Sequence, residues 1–70
     1  MRRVFVPGDA VRGERVALTG EQAHYLLRVL RLGPGRRFSA VLPDGEERVA
    51  VIESAAGDEV HARLGEALSS

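Results

Sequence analysis

The chain has no cysteine among its 70 residues. That excludes disulfide staples and thiolate metal sites together. Aromatic residues are nearly as scarce, since Phe5, Phe38 and Tyr25 are the whole set. A core must therefore come from aliphatic packing, in a chain so short that it buries only about 60% of its unfolded surface. No apolar run approaches the roughly 20 residues needed to span a bilayer. Met1-Arg2-Arg3 is basic, but no apolar signal-peptide core follows it. A soluble cytoplasmic protein with no membrane partner is expected. Lysine is also missing, and genomic base composition explains the arginine-only usage well enough that it says nothing about partners.

Catalytic groupings are missing too. Ser39, Ser54, Ser69 and Ser70 stand in no nucleophile-elbow context. His24 and His61 are the only histidines, and no three or four ligands have metal-site spacing. Gly33-Pro34-Gly35 closes a helix instead of opening one, so it is no phosphate loop. His61 alternates outward on a strand as a surface residue, and Glu46-Glu47 beside Asp44 looks like a solvated hairpin tip. No catalytic residue, bound cofactor or metal is expected in this chain.

What the chain does have is a lopsided charge distribution. Through Arg37 it carries eight arginines against Asp9, Glu14 and Glu21, a balance of +5. From Phe38 onward, Arg48 and Arg63 face seven acids, a balance of −5. Such asymmetry points to a face that binds a polyanion, or to two halves that attract each other within one fold.

Residues 18–32 read as one short amphipathic helix. Thr19 and Gln22 have capping-box spacing, and Leu18 with Ala23 has the spacing of a hydrophobic staple. At about 100° per residue, Ala23, Leu26, Leu27 and Leu30 share one side. His24, Arg28 and Arg31 fall together on another, where like charges repel and an anion would offset the cost. Gly33 and Pro34 then supply the stop. Tyr25 stands beside the basic side, as a stacking platform or as a residue partly buried on the rim.

Around this helix the chain reads as short strands. Arg3 to Val6, Arg15 to Leu18, Arg37 to Leu42, Arg48 to Ile52 and Val60 to Leu64 carry the apolar or alternating patterns, with Asp9 to Gly13 as loop. Turn signals at Pro43-Asp44-Gly45 and Gly57-Asp58 make the last three strands antiparallel. The fold class expected is mainly β: a small barrel or strongly curled sheet of five to six strands with one short α-helix.

Three segments resemble a known family: Arg3-Val4-Phe5-Val6-Pro7, Leu18-Thr19-Gly20-Glu21-Gln22-Ala23-His24, and Leu27-Arg28-Val29-Leu30-Arg31-Leu32. Together with the Asp44-Gly45 turn they are similar to the start of ribosomal RNA small subunit methyltransferase E, and the segment from His24 to Arg31 is the most specific part. Val4 stands where that family commonly has an aromatic residue, and Tyr25 where a second histidine is frequent.

The resemblance implies a PUA-like, RNA-binding β-barrel over residues 1–66. Residues 67–70 would form a tail or the start of a linker to an absent methyltransferase domain of the SPOUT class. That absent domain would hold S-adenosylmethionine and methylate N3 of a uridine in 16S rRNA, as part of rRNA processing. The full-length parent would be a homodimer and a transferase, while this chain would dock it on the small ribosomal subunit. By position, Arg3, His24, Arg28 and Arg31 match the family's RNA-facing polar residues, and Arg37 joins them just past the helix. The alternative is a structural domain that packs on the methyltransferase domain or on a dimer partner without affinity for RNA.

Overall fold

The computed structural model describes residues 2–68; Met1, Ser69 and Ser70 lie outside them. Six strands form one sheet: β1 (Arg3–Phe5), β2 (Val11–Arg12), β3 (Arg15–Thr19), β4 (Arg37–Val41), β5 (Glu47–Ala56) and β6 (Glu59–Ala67). Their spatial order is β1-β4-β5-β6-β3-β2. The mainly-β fold with one short helix holds as expected. The last three strands form an antiparallel meander, as the turn signals require.

The sheet curls into a half-barrel, and the chain connectivity shows why. Six flat strands about 4.8 Å apart would hold the outer edges about 24 Å apart. Those edges, β1 and β2, are separated in sequence only by Val6 to Ala10. That link reaches about 20 Å at full stretch, and the 3-10 turn Gly8–Ala10 shortens it further. The edges must therefore swing toward each other.

Alternation decides what the curl encloses. Val60, Ala62 and Leu64 of β6, Val16 and Leu18 of β3, and Ala50 and Ile52 of β5 all point inward and are buried. Phe38, the one buried aromatic, sits among them. Ser39 is the only buried polar residue among the described ones. Ala23 and Leu26 close the open end of the curl at 0% exposure, with Leu27, Leu30 and Leu32 packed around them.

Several expectations are corrected. Asp9 to Gly13 is not all loop: Val11–Arg12 pairs with Val16 and Arg15 across a tight turn at Gly13, whose φ is +63°. β1 lies parallel to β4, a pairing with no local sequence signature. Strands β5 and β6 run longer than their apolar runs, and their register shifts at two irregularities. Of the tail at 67–70, Ser69 and Ser70 fall outside the described residues; Ala67 ends β6, and the Leu68 N–H donates to the Glu47 carbonyl at 2.7 Å.

The helix departs most from the sequence reading. Only Gly20–His24 is α-helical (α1), and Tyr25–Val29 continues as a π turn. Within it the Leu30 N–H donates five residues back, to Tyr25 O, at 3.0 Å. Thr19 makes no side-chain cap; Gly20, at φ +61°, turns the chain instead and its N–H donates to Asp58 O. Gln22 is therefore free of the capping box, and its Nε2 donates to Phe5 O at 2.9 Å, satisfying an edge carbonyl of β1. The helical path ends at Arg31, not at Gly33. Arg31 takes a left-handed φ of +55°, and the Leu32 N–H closes back onto Leu26 O at 2.9 Å.

Candidate nucleic-acid interface

The helix sets the site. With Ala23 and Leu26 fixed in the core, His24 and Arg28 stand on the solvent side, and both are exposed. Arg31 follows where the chain leaves the helix, and is exposed as well. None of the three makes an ion pair among the described residues; the pairs there are Arg3–Glu47 and Arg15–Glu53, with a His61–Glu59 contact beside them. π turns and left-handed non-glycine residues both carry a conformational cost and recur at functional sites. Here the two occur in succession, on the segment that bears Arg28 and Arg31.

Three of the expected site residues, His24, Arg3 and Arg37, line three separate depressions. His24 lines one shallow depression with Gly20, Glu21, Tyr25, Val29 and Asp58. Arg3 lines a second with Phe5, Gln22 and Tyr25. Tyr25, 42% exposed, belongs to both and so connects the His24 and Arg3 sides. Arg37 opens β4 and shares a third depression with Arg36, Leu32 and Gly35, beyond the end of the helical segment.

Arg3 is not a free cation. Its guanidinium donates to Glu47 Oε1 at 2.7 Å, while Ser39 Oγ donates to Glu47 Oε2 at 2.8 Å. The Ser39 hydroxyl first, then the Arg3 guanidinium, hold the Glu47 carboxyl below its ordinary range. Glu47 is therefore no solvated hairpin tip, although Glu46 beside it is exposed. The attraction between the halves is real at two places, Arg3–Glu47 and Arg15–Glu53. His61 is exposed as expected, with Nε2 2.9 Å from Glu59 Oε1.

Sequence reasoning missed a second arginine group. Strand register puts Arg12 opposite Arg15, Arg15 opposite Arg63, Arg63 opposite Val51 and Val51 opposite Arg37. Each alternates with an inward residue, so the row lies on the outer face of the sheet. The alternation was visible in β3, β4 and β6, but Arg12 fell in a segment read as loop, and the register that aligns the four arginines was not visible.

A family model for the RNA methyltransferase PUA domain matches residues 18–65. That span contains the helical segment, β4, β5 and most of β6. No curated protein matches the chain. Among solved structures, the chain superposes on a Legionella pneumophila protein assigned as a methyltransferase and solved with the cofactor SAM. The TM-score is 0.79 at 27% identity, covering 94% of this chain and 27% of that one. It also superposes on ribosomal RNA small subunit methyltransferase E from Neisseria gonorrhoeae, bound to S-adenosyl methionine. There the TM-score is 0.80 at 20% identity, covering 100% of this chain and 28% of that one. The chain thus spans less than a third of these solved relatives.

Proposed function

We propose, from the premise that this chain belongs to the RNA methyltransferase PUA domain family, that it is the RNA-docking domain of a 16S rRNA uracil N3-methyltransferase. The observation that carries the reading is that Arg28, in the π turn, and Arg31, just past it, are exposed and make no ion pair among the described residues, inside the matched span. Arginine suits the task because its planar fork grips phosphate through two bonds and stacks on unpaired bases. Tyr25, between the His24 and Arg3 depressions, offers a surface on which a nucleotide stacks.

In this proposal docking is electrostatic and positional. The partner is the small ribosomal subunit, the setting is the cytoplasm, and the full-length enzyme is a homodimer. S-adenosylmethionine belongs to the catalytic part of that enzyme. The 70-residue chain alone is expected to transfer no methyl group from S-adenosylmethionine to RNA, and turnover in a radiolabel assay would contradict that.

The direct test replaces Arg28 and Arg31 with Ala and follows binding to a 16S rRNA fragment by anisotropy at rising salt. Each lost phosphate contact should lower the slope of log affinity against log salt by about one. An unchanged affinity and slope would reject the reading. A second reading, a structural domain docking on the methyltransferase domain or a dimer partner, draws on exposed Phe5 (75%) and Val29 (62%). On that reading the double variant changes nothing in RNA binding, and Phe5→Ser loosens the docking.

A further inference from the structure

The outer arginine row crosses five strands, from β2 to β4, over about 19 Å at ordinary strand spacing. Arg12, Arg15, Arg63 and Arg37 are all exposed, and Val51 is the one uncharged member. Arg12 directly faces Arg15, and Arg15 directly faces Arg63. Like charges in such positions destabilise a sheet. Among the described residues only Arg15 has an acid, Glu53 at 2.9 Å, which stands at the irregularity in β5. Glu14, in the turn between Arg12 and Arg15, makes no ion pair with either among the described residues.

The neighbouring positions leave the row uncovered. On one side Ala17 faces His61, which faces Ser54. On the other, Val49 faces Ser39, with Gly65 of β6 nearby. His61 is engaged with Glu59. These are small or neutral groups, and neither phenylalanine nor tyrosine stands in or beside the row.

We propose that this outer face is a second RNA contact, in which Arg12, Arg63 and Arg37 hold the phosphate backbone of a double-helical segment. It rests on the RNA-docking reading but lies on a different face and, apart from Arg37, uses different residues. Single strands are held by stacking on aromatic side chains, and the row offers none. Duplex RNA is recognised through its backbone and shape, which a row of forked cations on a rigid sheet matches. The division of labour is then clear: the helix with Tyr25 takes unpaired nucleotides, and the sheet takes a stem.

The test compares R12A/R63A with R28A/R31A in the 70-residue chain. The probes are a labelled RNA hairpin with a long stem and an unstructured pyrimidine oligonucleotide. Arg12 and Arg63 carry no ion pair among the described residues, so R12A/R63A should melt at the same temperature as the parent or higher. It should weaken hairpin binding roughly tenfold at physiological salt and lower the salt slope by about two. Oligonucleotide binding should change little, and R12K/R63K should recover most of the hairpin affinity. An unchanged hairpin slope in R12A/R63A overturns the inference, and the helix reading then stands if R28A/R31A still loses binding. Equal losses on both probes overturn the preference for duplex. A loss confined to R12A/R63A upholds the row and rejects the helix, and failure of the parent chain to bind either probe rejects both.

Discussion

Arg31 and Glu47 are the two residues whose local setting departs most from their type. Arg31 adopts φ +55°, which costs an L-residue with a Cβ roughly 1–2 kcal/mol and glycine almost nothing. Arg31→Gly should therefore be more stable than Arg31→Ala by about 1 kcal/mol in urea titrations. Both variants lose the same charge and should lose RNA affinity alike. Equal stability of the two would mean that the left-handed turn is not held in solution.

Glu47 gives the chain an acid response of known sign. Its folded-state carboxyl is held below the ordinary value of 4.5 by Ser39 and Arg3. The stabilisation is fully present above that value and is lost as pH falls through the lowered one. The melting-temperature gap between the parent and Glu47→Gln should thus begin to narrow below about pH 4.5 and vanish as pH falls past the lowered value. A gap that persisted in acid would show that the carboxylate does not hold the pair.

At the scale of elements, the helical segment is anchored by very few atoms. Leu26 is fully buried in the π turn, and Leu27 beside it is only partly so. Leu26→Ala should cost about 2–5 kcal/mol by transfer and cavity formation. A domain of this size has about 4–10 kcal/mol in total, so the loss approaches unfolding. Leu27→Ala should cost clearly less, and thermal melts by circular dichroism rank the two. The apolar side of this segment was readable in Ala23, Leu26, Leu27 and Leu30 because periodicity reports burial directly. The π turn was not readable, because bonding five residues back instead of four leaves no mark on residue types. The failed capping box has a similar cause: Thr19 and Gln22 have the right spacing, but Gly20 turns and Phe5 O claims the amide.

At the scale of the molecule, legibility follows range. The β4–β5 and β5–β6 hairpins were visible in Pro43-Asp44-Gly45 and Gly57-Asp58, whose geometry is set within a few residues. The parallel match of Arg3 with Ser39, and the alignment of Arg12, Arg15, Arg63 and Arg37, depend on register between distant strands. Alternation gives each side chain a face but no partner. The same contrast should appear in hydrogen exchange. Amides of Ile52 and Ala62, in the paired centre of the sheet, should exchange slowest, and those of the two-residue edge strand β2 first.

The strand order also constrains when the chain can fold. β1 waits for β4, and β3 waits for β6, so apart from the small β2–β3 hairpin the first half of the sequence finds its sheet partners only in the second. During synthesis the arginine-rich half leaves the ribosome with nowhere to dock until Val60 and its neighbours follow. β6 is the strand that β3 and β5 share, so a chain cut before Glu59 should show no cooperative thermal melt, and a melt like the parent's would contradict that.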